Sequence, residues 1–236
     1  MQLFYNPNIS SEIKQITFEK EESRHIVRVL RKKEGDILHI TNGKGFLFYV
    51  EIIIANDKKC LANIVKSEEK PNNRNYYLHI VIAPTKNNDR LEWFLEKATE
   101  IGIDEITPII CDNSERKIIK HDRLSKIVQS AMKQSLQFTL PKLNDAMKFS
   151  DFIKQDFSEE TFIAHCEDNS EKKYLKNIAS KNAKQTILIG PEGDFSVKEI
   201  QQALNLDFIP ISLGENRLRT ETAGLNVVQN IAFINQ

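Results

Sequence analysis

Cysteine is scarce in this chain, which has only Cys60, Cys111 and Cys166 and no C-x-x-C pair. An odd number of widely separated cysteines argues against a disulfide framework and against a zinc site, so we expect no metal. Long hydrophobic runs are also missing, since none approaches the roughly 18–20 apolar residues of a membrane span. The opening residues MQLFYNPNIS lack the basic-then-apolar layout of a secretory signal. We therefore expect a cytoplasmic protein that does not bind membranes.

An excess of either charge is absent, because 33 basic residues balance 33 acidic ones. This balance argues against a protein that coats nucleic acid indiscriminately, although it is compatible with a local basic surface. The phosphate-binding patterns G-x-x-x-x-G-K-[ST] and G-x-G-x-x-G are also absent, so we expect neither a nucleoside triphosphate nor a conventional dinucleotide. With 236 residues, 40% of them hydrophobic, the chain is long enough for one large domain or a small and a medium one.

The first part of the chain, about residues 1–70, has the pattern of short strands. DILHITN and FLFYVEIII flank the turn NGKG and predict a β-hairpin, and CLANIVKS predicts a third strand. One short helix is predicted in EESRHIVRVLRKKEGD. The polar segment Ser67–Asn75 contains a proline and is interpreted as a linker.

From Tyr76 onward, strand and helix patterns alternate, which favours an α/β domain with a mostly parallel sheet covered by helices. Gly102 is expected to end the first helix of this part. Strands are predicted in YYLHIVIAP, DEITPIIC, TFIAHC, QTILIG and DFIPISLG, and helices in NDRLEWFLEKATEIG, HDRLSKIVQSAMKQS, SVKEIQQAL and TETAGLNVVQNIAFINQ.

Glycine is rare, with eight residues in the chain, yet three of them lie at the ends of two predicted strands. Gly190 and Gly193 follow one strand, and Gly214 follows the other. Ligands of open parallel sheets bind beyond the carboxyl ends of the strands, where a glycine lets the backbone approach without a Cβ in the way. We interpret QTILIGPEGDFS as one wall of such a crevice. Gly193 is expected to adopt a positive φ, and Asp194 or Ser196 to cap the next helix.

The segment ISLGENRLRTETAGL repeats this arrangement, and we expect the two strands to be neighbours whose turns form one crevice. A second reading is a capped helix start, with Thr220 or Thr222 as N-cap and Glu221 complementing the helix dipole. The crevice and the capped helix start are compatible interpretations of the same segment. A cofactor with an adenosine but no phosphates would suit a crevice lined by backbone amides and carbonyls.

Basic residues form two clusters. In SRHIVRVLRKK, a helix would place Arg24, Arg28 and Arg31 on one face, where they either contact RNA phosphates or form an ordinary solvated surface. The second cluster, SERKIIKHDRLSK, contains Arg116, Lys117, Lys120, Arg123 and Lys126.

His165 follows an apolar strand and is expected to be buried or, alternatively, to line the crevice.

Several motifs in a fixed order together carry a family resemblance. They are HIVRVLRKKEGD, K-x-x-D-R-x-E from Lys86 to Glu92, S-E-R-x-x-x-K from Ser114 to Lys120, LIGPEG, and LG followed by LRTETA. Over nearly its whole length the chain resembles the RsmE-type 16S ribosomal RNA uracil-N3 methyltransferases of the SPOUT superfamily. The resemblance implies S-adenosylmethionine-dependent methylation of N3 of a specific uridine in 16S ribosomal RNA.

The resemblance also implies an architecture and partners. It predicts a PUA-like RNA-binding β-barrel over residues 1–70 and a SPOUT methyltransferase domain over residues 76–236. The second domain is expected to be an α/β fold in which helices cover both faces of a parallel sheet that ends in a trefoil knot. The expected partners are 16S ribosomal RNA, within the assembled small ribosomal subunit, and a second copy of the chain, but not DNA.

The resemblance assigns roles to individual residues. Arg219 is expected to stabilise the anion that develops on a uracil carbonyl, and Glu221 to act as a base or to hold Arg219 in place. The expected cofactor-binding residues are Ile189, Gly190, Pro191, Glu192, Gly193, Ser212, Leu213, Gly214, Leu218 and Thr222. The expected RNA-binding residues are Arg24, Arg28, Arg31, Lys32, Lys86 and Arg116.

This sequence departs from the family pattern at two places. Asn216 and Arg217 stand where the family has an arginine and a hydrophobic residue, and Lys133 and Gln137 replace an acid and an arginine. Three other hypotheses remain open at this point. They are a methyltransferase for another RNA base or ribose, a non-catalytic RNA-binding protein, and an unrelated α/β enzyme with a convergent glycine turn.

Overall fold

The computed structural model describes residues 1–157, 160–167 and 171–236. The chain forms two compact units. One comprises Met1–Asn73 and Met132–Leu140, and the other Arg74–Ala131 and Pro141–Gln236. Within the described ranges, no helix is both long and apolar enough to cross a bilayer.

A five-stranded sheet forms the first unit, and the predicted hairpin is its centre. Gly43 and Gly45 adopt positive φ values of 71° and 85° in the hairpin turn, which explains the NGKG sequence. The predicted linker is wrong at its start, because Ser67 pairs with Phe48 as part of a strand. The strands are β1 (Leu3–Tyr5), β2 (Gln15–Thr17), β3 (Ile37–Thr41), β4 (Phe46–Ile54) and β5 (Leu61–Glu69), in the order β1-β3-β4-β5-β2.

The predicted single helix near residue 25 is instead two short pieces. Helix α1 (Lys20–Arg24) continues as a π-helical turn, His25–Val29, and Arg31 then adopts a positive φ of 54°. The amide of Lys32 donates to the carbonyl of Ile26 and closes this irregular end. The expectation that three arginines share one regular α-helical face is therefore wrong, because the spacing of 3.6 residues per turn ends at Arg24.

Residues 132–140 belong to the first unit, although they follow the second unit's first two strands. They pair with the hairpin turn: the amide of Gly45 donates to the carbonyl of Phe138 at 2.9 Å, and that of Leu140 to the carbonyl of Gly43 at 2.9 Å. The hydroxyl of Thr41 also donates to the Phe138 carbonyl, at 3.1 Å. This segment supplies hydrogen-bond partners that the hairpin turn lacks by itself.

An eight-stranded sheet forms the second unit, and every strand pair in it is parallel, as the strand–helix alternation predicts. The strand order is β11-β13-β10-β12-β6-β7-β8, with β9 beside β7. The strands are β6 (Tyr77–Ile82), β7 (Glu105–Ile110), β8 (Lys142–Leu143), β9 (Met147–Lys148), β10 (Glu160–Ala164), β11 (Lys173–Tyr174), β12 (Lys184–Ile189) and β13 (Ile209–Ser212).

Helices cover this sheet, and the bounds of the four predicted ones follow the prediction closely, whereas two short helices, at 149–152 and 175–178, were not predicted. Gly102, with a φ of 120°, ends the first of them as expected. The helices are α2 (Asn88–Ile101), α3 (His121–Gln134), α4 (Phe149–Phe152), α5 (Leu175–Ile178), α6 (Val197–Leu204) and α7 (Thr220–Ile234).

The centre of the sheet places three strand ends at one level. Ala164 pairs with Ile189 on one side and with Ile211 on the other. Strand β10 therefore lies between β12 and β13, and the expectation that the two glycine-ended strands are neighbours is wrong. Chain order did not reveal this, because β10 comes before both strands in the sequence but between them in the sheet.

Candidate functional site

A cavity of about 560 Å³ opens where β10, β12 and β13 end. Its walls are the segment after each strand, so backbone groups as well as side chains line it. The carboxyl edge of a parallel sheet is where ligands of such folds bind. The lining residues are Ala164, His165, Cys166, Lys172, Ile189, Gly190, Pro191, Glu192, Asp194, Ile211, Ser212, Leu213, Gly214, Glu215, Asn216, Arg217, Leu218, Arg219, Thr220 and Ala223.

Most residues predicted to bind the cofactor lie together in this cavity. Gly193 and Thr222 are the exceptions, because neither lines it and both are exposed. Arg219, predicted to be catalytic, does line it, whereas Glu221 does not. The predicted residues in the lining are Ile189, Gly190, Pro191, Glu192, Ser212, Leu213, Gly214 and Leu218.

The loop after β12 is held rigidly. The amide of Asp194 donates to the carbonyl of Pro191 at 2.9 Å, and Asn113 donates to the carbonyls of Gly193 and Asp194. The positive φ expected at Gly193 falls on Asp194 instead, at 62°. Asp194 tolerates this conformation because its carboxylate accepts from the backbone amides of Phe195 and Cys166.

Gly190 is closely packed against the side chain beneath it. A Cβ at this position would lie 3.0 Å from the ring of Phe195, which belongs to the buried core beneath the loop. The start of α6 is fixed by a capping box between Ser196 and Glu199. Of the two predicted caps, Ser196 is therefore confirmed and Asp194 is wrong.

The loop after β13 reaches back to the first loop at two points. The buried hydroxyl of Thr220 donates to the carbonyl of Gly190 at 3.0 Å, and the guanidinium of Arg217 donates to the carbonyl of Glu192 at 3.4 Å. The prediction of a threonine N-cap for α7 is wrong, because Arg219 occupies that position without a side-chain cap bond. Thr220 instead joins the two loops.

The two residues predicted to be catalytic have different surroundings. Arg219 is exposed at the edge of the cavity. Glu221 is 6% exposed and lies 3.7 Å from the Nε atom of Arg90 on α2. Its Oε2 atom is buried without a hydrogen-bond partner in the described part of the chain. The observed partner of Glu221 is thus Arg90, while the predicted bond from Glu221 to Arg219 is not among its contacts.

Sequence reasoning missed most of the wall formed by the end of β10. His165 is 7% exposed and lines the cavity, so its alternative placement is confirmed. Burial lowers the pKa of His165, and nearby Lys172 lowers it further. The His-Cys pair after an apolar strand was the available signal, but it could not be used without knowing that β10 lies between the other two strands.

The basic residues predicted to bind RNA in the first unit are on its surface. The guanidinium of Arg28 lies 2.8 Å from the carboxylate of Asp57, so part of its charge is neutralised. Arg24 and Arg31 are exposed, and Lys32 is half-buried.

Two further predicted RNA-binding residues lie in the second unit. Lys86 is exposed and pairs with Glu115 at 2.9 Å, while its backbone amide donates to the carboxylate of Glu192. Arg116 donates to the backbone carbonyls of Thr85 and Lys86, at distances of 2.7–3.3 Å. Arg116 therefore holds the loop after β6 in place, which the sequence did not predict.

Two protein-family models match the chain. The RNA methyltransferase domain matches residues 72–232, and the RNA methyltransferase PUA domain matches residues 18–65. A curated relative from Buchnera aphidicola subsp. Acyrthosiphon pisum, Ribosomal RNA small subunit methyltransferase E, is 31% identical over 91% of this chain and 86% of its own length.

Solved structures of similar proteins are also described as RNA methyltransferases. A protein from Porphyromonas gingivalis described as a probable rRNA-methyltransferase is 39% identical, with a TM-score of 0.92, covering 100% of this chain and 98% of the other. Ribosomal RNA small subunit methyltransferase E from Neisseria gonorrhoeae, solved with bound S-adenosyl methionine, is 25% identical with a TM-score of 0.85, covering 100% of this chain and 98% of the other. These similarities extend over both units.

Proposed function

The chain belongs to the RNA methyltransferase family that includes Ribosomal RNA small subunit methyltransferase E, and from this premise we propose that it methylates N3 of a specific uridine in 16S ribosomal RNA with S-adenosylmethionine as the methyl donor. The observation that carries the proposal is the single cavity enclosed by the ends of β10, β12 and β13. Its two glycine-containing loops are the motifs LIGPEG and LG…LRTETA on which the family resemblance rests.

The cavity suits S-adenosylmethionine in size and chemistry. About 560 Å³ lies within the range of roughly 300–1,000 Å³ that is common for small-molecule sites. Backbone amides and carbonyls after β12 and β13 can read an adenine edge. The lining contains three acidic residues, Glu192, Asp194 and Glu215, and three basic ones, Lys172, Arg217 and Arg219, so it offers partners to both the amino and the carboxylate group of the cofactor. We propose that both loops hold the cofactor, with Gly193 supporting the first from outside the lining and Thr222 following the second.

When bound, S-adenosylmethionine supplies an electrophilic methyl group on a positively charged sulfur. The chain must then make uracil N3 a nucleophile, which requires loss of the N3 proton and leaves negative charge on the base carbonyls. Arg219 is exposed at the cavity edge and can stabilise that charge. The uracil must be unpaired or turned out of a helix first, because N3 lies on its pairing edge.

Glu221 is the weaker candidate for the base. Its carboxylate is buried against Arg90 and is not part of the cavity lining. A buried carboxylate in the first turn of α7 instead interacts favourably with the positive end of the helix dipole. It thereby stabilises the turn that begins directly after Arg219. We therefore assign Glu221 the role of a positioning residue.

RNA contacts are divided among the two units in this proposal. Arg24, Arg31 and Lys32 offer charge to RNA phosphates, and Arg28 offers less because Asp57 already pairs with it. In the second unit, Lys86 carries the exposed charge. Arg116 contributes indirectly, because its guanidinium is bound to backbone carbonyls.

We also propose the type of each domain, a dimer and the cellular setting of the reaction. Residues 1–70 form a PUA-like barrel, and residues 76–236 form a SPOUT domain with a trefoil knot and dimerise with a second copy. The family resemblance supports the knot, and the bond from Thr220 to Gly190 holds the start of α7 against the loop after β12. The name of the relatives, Ribosomal RNA small subunit methyltransferase E, supports a substrate in small-subunit ribosomal RNA. We extend the proposal to action on the assembled subunit in the cytoplasm.

Purified protein tests this function directly. Small ribosomal subunits that lack the modification are incubated with S-adenosylmethionine carrying a labelled methyl group, and the nucleosides are analysed by mass spectrometry. We expect label in 3-methyluridine at one position of 16S ribosomal RNA. Label in another base or in ribose would contradict the N3 assignment. Absence of both label and cofactor binding by calorimetry would contradict the function as a whole.

A further inference from the structure

A groove of about 740 Å³ lies between α2 and α3 of the second unit and shares no lining residue with the cofactor cavity. Three basic residues line it at intervals of three along α3 and the residue before it: Lys120, Arg123 and Lys126. Residues three apart on a helix are neighbours on its surface, so their charges follow the length of the groove. The proposed function above assigns no role to this surface.

The three basic residues of the groove, Lys120, Arg123 and Lys126, are exposed. The carboxylate of Glu92 on α2 binds Arg123 twice, at 2.6 Å from Nε and 3.0 Å from Nη2. This pair neutralises Glu92 and fixes the guanidinium, whose side chain is still 56% exposed. Within the described ranges, neither Lys120 nor Lys126 has a carboxylate within ion-pair distance. Asp122 is the remaining carboxylate of the lining.

The groove begins at the same edge of the sheet as the cofactor cavity. Helix α3 follows the loop after β7, and Arg116 in that loop donates to the carbonyl of Lys86. The amide of Lys86 donates in turn to the carboxylate of Glu192, which lines the cavity. These hydrogen bonds connect the loop that leads into α3 with the wall of the cavity, and both loops leave the carboxyl ends of parallel strands.

We propose that this groove binds the ribose-phosphate backbone of the RNA strand next to the nucleotide held at the cavity, an inference that rests on the proposed function. Lys120 and Lys126 contact phosphates as point charges, and Arg123 presents a fixed guanidinium that can bind a phosphate on its exposed side. Such contacts position the RNA without reading its sequence.

The double variant Lys120→Gln/Lys126→Gln tests the inference, with binding to a 16S ribosomal RNA transcript measured from 50 to 300 mM KCl. Each lost phosphate contact reduces the slope of log K against log [salt] by about 0.7–0.9. We therefore expect the slope to fall by about 1.5, the KM for small subunits to rise, and kcat and S-adenosylmethionine affinity to stay unchanged. Lys120→Arg/Lys126→Arg should restore the wild-type slope.

Lys181→Gln/Lys184→Gln is the matched control, because these residues lie at the amino end of β12, on the opposite edge of the sheet. An equal loss of slope in this control, or a wild-type slope and KM in the Lys120/Lys126 variant, would overturn the inference. The slope comes from binding alone, so it can be measured whether or not the wild-type protein methylates uridine, whereas the KM comparison requires that activity. Failure of the groove and failure of the proposed function are thus distinguishable.

Discussion

Arg219 occupies a position where a single side chain can control the reaction. It is the N-cap residue of α7, and its guanidinium is exposed at the cavity while the neighbouring Thr220 is buried and bonded to Gly190. The backbone around Arg219 is therefore fixed independently of its side chain. This arrangement separates the chemical role of the residue from the stability of the loop.

The substitution Arg219→Ala should abolish turnover without preventing cofactor binding. Removal of one group that stabilises a developing anion typically lowers kcat by about 10²–10³-fold. Single-turnover methylation and calorimetry with S-adenosylmethionine measure the two effects separately. Lys198→Ala on the exposed side of α6 serves as the control. A near-normal methylation rate in the Arg219 variant would show that the assigned role is wrong.

Gly224 is a residue whose small size is required by packing. A Cβ there would lie 2.7 Å from the ring of Phe94 on α2 and 3.0 Å from Ile82 on β6. Overpacking costs about 1–3 kcal/mol, whereas alanine gains up to about 1 kcal/mol over glycine in a helix. We expect Gly224→Ala to lower the free energy of unfolding in urea. The control Thr222→Ala, exposed on the same helix, should change it little, and a stabilised Gly224 variant would contradict this account.

At the scale of elements, periodicity and turn residues were enough to predict most helices and strands. The hairpin at NGKG, the parallel sheet and the end of α2 at Gly102 are confirmed. The order of strands was not predictable, because the position of β10 between β12 and β13 depends on crossovers rather than on local pattern. For the same reason the sequence predicted two walls of the cavity in full but indicated the third only through His165, as one of two placements for that residue.

Irregular backbone conformations were the other feature that the residue pattern did not predict. The π-helical turn at His25–Val29 and the positive φ of Arg31 have no signature in residue spacing. In the loop after β12 the residue with the positive φ is Asp194, although a glycine precedes it. Backbone hydrogen bonds made by the Asp194 carboxylate compensate for this conformation, and such tertiary compensation is invisible in a single sequence.

Strand β7 begins with a carboxylate that makes stability depend on pH. Burial raises the pKa of Glu105, but hydrogen bonds from Lys142, Tyr77 and Asn144 outweigh it and lower the pKa to about 2. A lowered pKa adds stability above the unfolded-state pKa of about 4.3, and this contribution is lost as the pH falls toward 2.

The substitution Glu105→Gln should therefore destabilise the protein at pH 7 and progressively less below pH 4. Urea unfolding at pH 7, 5, 4 and 3 measures the difference from wild type. Glu12→Gln, an exposed carboxylate of the first unit, is the control and should show a difference close to zero throughout. A difference for Glu105→Gln that is constant with pH would contradict the hydrogen-bonded, ionised state.

At the scale of the whole molecule, the proposed function requires both units to contact RNA. The first unit contributes exposed arginines whose charges are not equally available. Arg28 is paired with Asp57, and Arg24 and Arg31 are exposed with no ion pair in the described part of the chain. Net charge is zero overall, so RNA binding depends on where these residues lie rather than on total charge.

The variant Arg24→Gln/Arg31→Gln should weaken binding to 16S ribosomal RNA and flatten its salt dependence. Two lost phosphate contacts reduce the slope of log K against log [salt] by about 1.4–1.8. Arg28→Gln alone should change the slope by less than one contact does, because Asp57 already pairs with the Arg28 guanidinium and makes it less available to a phosphate. The measurement is a salt titration of RNA binding, and an unchanged slope in the double variant would leave this surface as ordinary solvated protein.

The pairing of residues 132–140 with the hairpin of the first unit has a consequence for biosynthesis. During translation, the hairpin turn at Gly43 and Gly45 leaves the exit tunnel long before its partners at Phe138 and Leu140 have been polymerised. The hydrogen bonds of the amino-terminal unit are thus completed only after residues 74–131 of the second unit have been synthesised. A gene fragment ending at residue 73 would encode this unit without residues 132–140, which make hydrogen bonds with its hairpin turn.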